Sequence, residues 1–247
     1  MLYKKYGYRD IAIYDDLFSI NKPRLKEIVQ GLEIKKIAGK IDFTVYGRAN
    51  CFDDETAQLF KRMGVSQITF GFETGSPRML DYLKGDNVTL ADNHRAIEIC
   101  KKYGLKYDGF FMIGSPTETL KEVEETYNFI KENCPKSFII YQTIAFPGTS
   151  FWDYAMKNNI IKKDFYEFKQ KEFVDANANI LLSKDMDPQE FIKLFNKIRS
   201  LYVNKNQSRV LKNISTIRFR HLKPLLTIEF LKKAFNLRNQ LIKRITK

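Results

Sequence analysis

The chain has 247 residues, 44% of them hydrophobic and 14% aromatic, which is enough for one sizeable core with an appendage. No apolar run approaches the roughly 18 residues that a bilayer span needs. The opening MLYKKYGYRD lacks the apolar stretch of a secretory signal, and three scattered cysteines with two histidines exclude a disulfide framework and a local metal knuckle.

In chain order, Asp10 to Asp15 (DIAIYD) reads as an apolar strand ending in a carboxylate pair, Asp15 and Asp16. Pro23 opens an amphipathic helix with Leu25, Ile28, Val29 and Leu32 on one face. Ile41 to Tyr46 is the next strand and runs into Gly47, Arg48, Ala49 and Asn50; a helix from about Asp53 to Met63 follows, stopped by Gly64. Gln67 to Glu73 alternates β-branched and aromatic residues as a buried strand does, with Gly71 leaving room for a close approach. Glu73 falls at its carboxyl end, before Thr74, Gly75, Ser76 and Pro77. A short helix, the loop from Lys84 to Val88 and a helix from Leu90 to Tyr103 come next. The strand Lys106 to Ile113 delivers Gly114, Ser115, Pro116, Thr117 and Glu118 ahead of a helix to about Asn133. Ser137 to Ile144 then leads to Phe146, Pro147, Gly148 and Thr149.

Strand, polar or glycine-rich loop, and helix thus recur at least five times. Such alternation predicts parallel βαβ units with right-handed crossovers, an α/β fold closed or nearly closed as a barrel. Every loop of interest follows a strand and precedes a helix, so all share the face on which such folds place ligands. Taken singly, each loop also reads as a solvated turn with a helix cap, Ser76 among them.

With these loops aligned, YGYRDIAIYDDLF, the Arg48 loop, GVSQITFGFETGSPRMLDYLKG, AIEICKKYGL, FFMIGSPTET and AFPGTSFWDYA resemble, in order and spacing, the radical S-adenosylmethionine superfamily, in particular its branch often fused to a cobalamin-binding domain. The resemblance covers roughly residues 6–155. It implies a partial (βα) barrel of about six units, whose first loop carries CxxxCxxC and holds a [4Fe–4S] cluster. It further implies that S-adenosylmethionine binds the cluster and yields a radical that abstracts a substrate hydrogen, with cobalamin as a further cofactor. No CxxxCxxC occurs in this sequence, and Cys51, Cys100 and Cys134 cannot replace it by local spacing. The resemblance begins at the family's second strand. The expectation is therefore a truncated or split radical enzyme whose cluster-binding segment comes from elsewhere, because DIAIYD would otherwise be an exposed apolar edge. The alternatives are a degenerate, non-catalytic barrel acting as a scaffold, and a basic membrane- or RNA-binding protein whose barrel is only a platform.

The resemblance assigns cofactor-binding positions residue by residue. Asp15 and Asp16 would receive the methionine amino group, or simply lie at a helix start. Arg48 would pair with the methionine carboxylate, or with a surface acid. Glu73, with Ser76 as second choice, would bind the ribose or methionine portion, and Lys84 would reach the carboxylate. Gly114 and Pro116 would form the turn that approaches adenine, although the family has glycine where this chain has Thr117. Glu118 is expected in the next helix's first turn. No catalytic residue and no metal ligand is assigned.

The charge divides the chain. Of its 42 Lys/Arg, 15 fall from Phe191 onward, facing one acid, Glu229, so the first 190 residues hold 27 basic against 28 acidic residues and are nearly neutral. Residues 1–160 are read as the barrel and 161–247 as a helical, basic extension. A stripe of Leu226, Phe230, Ala234, Leu237, Leu241 and Ile245 flanked by lysines and arginines suits packing on the barrel or a partner, an anionic membrane surface, or, less well, nucleic acid. The expected location is the cytoplasm, peripheral at the membrane if the tail binds lipid.

Overall fold

The computed structural model describes residues 2–15, 18–134, 137–161 and 180–201. Asp16 and the apolar stripe from Leu226 to Ile245 therefore lie outside the described residues. After a short helix α1 (Leu2–Tyr6), the elements run β1 (Asp10–Ile13), α2 (Lys22–Ile34), β2 (Asp42–Gly47), α3 (Asp54–Met63) and β3 (Val65–Glu73). They continue as α4 (Pro77–Lys84), α5 (Leu90–Tyr103), β4 (Lys106–Ile113), α6 (Leu120–Asn133), β5 (Phe138–Gln142) and α7 (Ser150–Lys157). A further helix, α8, spans residues 188–201.

The five strands lie in chain order β1-β2-β3-β4-β5, every neighbouring pair parallel, as an open half-barrel with helices on its outer face. Parallel neighbours require crossovers, so all five carboxyl ends open on one edge of the sheet. Local chemistry explains where the helices begin and end. Asn21 accepts from the Arg24 amide and Asp53 from the Thr56 amide, and Thr89 with Asp92 and Thr119 with Glu122 form reciprocal capping boxes. The first strand is shorter than expected: it ends at Ile13, leaving Tyr14 and Asp15 in the loop.

Gly64 closes α3 in left-handed backbone (φ 97°), and a Cβ there would meet the Ile41 carbonyl oxygen at 2.6 Å. Gly64→Ala combines a conformational penalty with a steric one and should cost about 1–3 kcal/mol. Urea denaturation checks this; an unchanged midpoint would show that the turn can relax.

The core lies between the sheet's outer face and the helices. On β3, Ile68, Phe70 and Phe72 are fully buried there, while Gln67, Thr69, Gly71 and Glu73 alternate onto the concave face. Phe70 and Phe72 stack at 5.4 Å between centroids, Phe52 meets Phe70 at 5.3 Å, and Phe129 of α6 lies 5.9 Å from both Phe72 and Phe111. Gly109 makes room for this cluster, since a Cβ there would come within 2.6 Å of Phe111 and 2.8 Å of Phe72. Helix α8 lies in the stretch read as the basic extension, and its Phe191 and Ile198 are buried in the same core. Trp152 and Ala155 of α7 form a smaller cluster with Ala145, Ile161 and Leu182. Among the described residues no helix is long and apolar enough to cross a membrane.

Candidate functional site

At the end of the central strand the backbone departs from regular structure. The β3–β4 register shifts between Gly71 and Glu73, and Glu73 has φ 64°, a left-handed value rare outside glycine. The Thr74 amide donates to the Phe72 carbonyl at 2.8 Å, closing a γ-turn centred on Glu73. Such strain persists only where surrounding contacts hold it. Here the contact is Lys84, the last residue of α4. Its ammonium donates to the Gly71 carbonyl at 2.6 Å and pairs with Glu73 Oε1 at 3.0 Å.

Gly71 is what lets the carboxylate fold back. A Cβ there would lie 2.5 Å from Glu73 Oε1 and 3.4 Å from Lys84 Nζ. The two charged side chains are 23% and 17% exposed, enough to reach a ligand and little enough for their charges to count for more than on an open surface. Aromatic rings from the flanking strands approach each other across β3. Tyr46 of β2 and Phe110 of β4 lie 6.2 Å apart, and Tyr14 extends the row at 5.6 Å from Tyr46.

The other expected positions distribute as follows. Asp15 follows β1 and forms an ion pair with Arg24 of α2 at 2.9 Å. Arg48 follows β2, half-buried in extended backbone, just before a single 3-10 turn. The parallel topology puts both at the same edge as Glu73 and the Gly114 turn. Ser76 faces elsewhere: it is buried and its hydroxyl donates to Glu122 Oε1 at 3.3 Å, on the α6 side of the loop. Gly114 has φ 83°, and a Cβ there would point at Phe191 and Leu181. Pro116 is buried beside it, and Thr117 takes the left-handed value of 59° that a glycine would adopt without strain.

Glu118 is the residue that sequence reasoning misplaced. Thr119 caps α6, which starts at Leu120, so Glu118 precedes the helix and turns inward, 1% exposed. Its Oε2 accepts from the Gly114 amide at 2.5 Å and the Ser115 amide at 3.0 Å, while Oε1 has no partner among the described residues. Burial pushes its carboxyl up to about 7, against the downward pull of those two amides. Ser183 donates to the Glu118 carbonyl at 2.6 Å, and Ser115 shares a 2.8 Å hydrogen bond with Thr143, so the turn is braced from both sides. A glutamate four residues before a capping-box glutamate was the signal available, and it points to the helix as readily as to the turn.

The resemblance implies two groups, S-adenosylmethionine and a [4Fe–4S] cluster. A carboxylate and an ammonium over Gly71, with a turn of left-handed backbone, fit the charged amino-acid end and the nucleoside end of S-adenosylmethionine. The cysteines do not fit a [4Fe–4S] cluster. Cys100 and Cys134 are buried, Cys51 is half-buried, and burial pushes the Cys100 thiol up to about 12. Among the described residues no group of three or more His, Cys, Asp or Glu is arranged to hold a metal ion.

The model of the radical SAM superfamily matches residues 1–130, more than half of the chain. An uncharacterized methyltransferase of Pyrococcus horikoshii is 38% identical over 165 residues, covering 65% of this chain and 34% of that protein. The bacteriochlorophyllide d C-8(2)-methyltransferase of Chlorobaculum tepidum is 26% identical over 223 residues, 80% of this chain and 48% of that protein. The chain thus spans about a third to a half of the length of these relatives. Among solved structures, the radical S-adenosylmethionine methyltransferase TsrM from Kitasatospora setae, with cobalamin and a [4Fe-4S] cluster bound, superposes with a TM-score of 0.53 at 21% identity, over 61% of this chain and 30% of that one. That likeness concerns the fold.

Proposed function

The chain belongs to the radical SAM superfamily, and from that membership we propose that its concave face binds S-adenosylmethionine as part of an enzyme that starts radical chemistry. The observation that carries this reading is the strained, half-buried Glu73 held by Lys84 over Gly71 at the end of the central strand. In this reading Glu73 accepts from the ribose hydroxyls or the methionine ammonium, and Lys84 and Arg48 draw the methionine carboxylate. Asp15, released from Arg24, takes the ammonium with Asp16, and the Gly114–Pro116 turn meets adenine. Ser76, which is turned toward Glu122, serves the loop and not the ligand. The bound nucleotide supplies a sulfonium with a cleavable carbon–sulfur bond; the protein's part is to orient it and exclude water. Relatives named as methyltransferases support methyl transfer as the class of outcome, and the cobalamin bound in TsrM supports cobalamin as a further cofactor.

The cluster is a separate matter, because this chain's own thiols do not fit it. We place its ligands on a segment outside these 247 residues that pairs with the outer edge of β1, where no described strand lies. A barrel in residues 1–160 followed by a basic extension belongs to the same proposal, with the tail resting on an anionic membrane in preference to nucleic acid. The misfit of the cysteines equally favours a scaffold that binds the nucleotide without turning it over.

The test is binding to the chain itself, followed by saturation-transfer NMR of S-adenosylmethionine. Glu73→Gln and Lys84→Met each remove one charge-assisted contact and should weaken binding about tenfold or more. Full affinity in both variants sinks the site. Anaerobic addition of iron and sulfide separates the two readings. Cluster absorbance that appears only when a thiolate-bearing segment is supplied supports the enzyme, and its absence with that segment present supports the scaffold.

A further inference from the structure

The two loops on either side of the nucleotide reading are joined by one side chain. Arg78, in the first turn of α4, extends across to the β4–α6 turn. Its Nε donates to Glu122 Oε1 at 2.6 Å and its Nη2 to Glu122 Oε2 at 2.7 Å, a two-pronged grip on one carboxylate. Nη2 also donates to the Thr117 carbonyl at 2.7 Å, and Nη1 reaches the Thr117 hydroxyl at 3.4 Å. Glu122 receives the Thr119 amide at 2.9 Å, the Thr119 hydroxyl at 2.8 Å and the Ser76 hydroxyl at 3.3 Å. One arginine and one carboxylate therefore bind residues 76 and 78 of the first loop to residues 117 and 119 of the second.

Thr117 makes this more than a surface ion pair. It holds a left-handed backbone (φ 59°) that a β-branched residue adopts only under constraint, and Arg78 grips its carbonyl. Arg78 is itself 53% exposed, so solvent screening discounts what its pair with the buried Glu122 adds to global stability. Its consequence is local. We infer that Arg78 is a positioning residue: it locks the β3–α4 loop to the Gly114–Thr117 turn and keeps Thr117 left-handed, so that the two walls of the site move as one piece. The role rests on the nucleotide reading above for its ligand, and on the Arg78 contacts alone for the coupling of the loops. Nucleotide bound between Glu73 and the Gly114 turn would meet both walls already in register, without having to order them.

The experiment is hydrogen–deuterium exchange on the full chain, read by mass spectrometry over residues 75–77 and 114–117, beside S-adenosylmethionine binding by saturation-transfer NMR. Arg78→Met should speed exchange at least tenfold in both segments while the thermal midpoint barely moves, and should weaken nucleotide binding about tenfold. Arg78→Lys should not restore protection at 114–117, because an ammonium cannot grip a carboxylate with two prongs and a carbonyl together. Thr117→Gly removes the need for the left-handed constraint; in that background Arg78→Met should change exchange in 114–117 less than threefold. Unchanged exchange at 114–117 in Arg78→Met overturns the coupling. A loss confined to the global midpoint and fully rescued by lysine overturns it as well, leaving a plain structural pair. If the loops loosen as expected but the parent chain binds no S-adenosylmethionine, the nucleotide reading falls and the positioning role falls with it. If the parent binds and Arg78→Met binds equally well with loosened loops, the positioning role alone is overturned.

Discussion

Phe72→Ala is expected to lower the free energy of unfolding by about 3–5 kcal/mol, the range for removing a phenyl ring from a closed core. Phe72 is fully buried and its ring lies between those of Phe70, Phe111 and Phe129, so truncation leaves a cavity bounded by three large, stiff neighbours. The loss should also reach the site. The Phe72 carbonyl accepts from the Thr74 amide that closes the γ-turn at Glu73, and from Asn93 Nδ2 at 3.3 Å. Urea denaturation gives the global number, and exchange at residue 74 reports the turn. A cost below about 1 kcal/mol would mean that the aromatic cluster repacks, contrary to the close packing that Gly109 implies.

Glu118→Gln is expected to abolish a pH dependence of about 3 kcal/mol, an order-of-magnitude figure from a carboxyl raised from its ordinary 4.5 to about 7. Between those two values the folded chain keeps a proton that the unfolded chain has lost. Stability from this group is therefore fully present below about pH 4.5, declines as pH rises toward 7 and is flat beyond. Glu122 runs the other way: the Arg78 guanidinium holds it down at about 2, so its contribution is present above the ordinary carboxylate value and is lost as pH falls toward 2. Urea midpoints at pH 5 and pH 8 separate the two, since Glu122 stays ionised throughout that window. The parent should lose stability from pH 5 to pH 8, and the glutamine variant should not. The amide keeps an oxygen for the Gly114 and Ser115 N–H groups and puts an NH2 where Oε1 has no partner, a penalty that is the same at every pH. Equal slopes in parent and variant would show that the pocket admits water and that Glu118 ionises normally.

Both effects converge on a few residues at the carboxyl ends of β3 and β4. Glu73 and Gly114 were singled out by residue type and position after a strand, Lys84 by the family resemblance and Thr117 as a departure from it, and the structure places Glu73 and Lys84 in contact. Ser76 looked equivalent to Glu73 in sequence, three positions further along the same polar loop. Its hydroxyl is instead drawn to Glu122, 46 residues away. Glu118 and Glu122 present the same ambiguity in mirror image. Both are acids near a helix start, yet one is buried and raised, while the other is gripped by an arginine and lowered.

Read alone, the amino-acid sequence determined the strands and helices, their order, the parallel α/β architecture and the separation of a neutral body from a basic tail. Those features follow from local causes: side-chain alternation along strands, the 3.6-residue period of helices, and capping residues within four positions of each helix end. Only the tertiary structure decided which polar side chains at the strand ends face the concave side, and which of them brace the loops. Those choices depend on left-handed turns at Glu73 and Thr117 and on partners such as Lys84, Arg78 and Glu122, which packing brings in from other elements. A one-dimensional pattern records that a carboxylate is present; its direction is set by the neighbours that compete for it once the chain has closed.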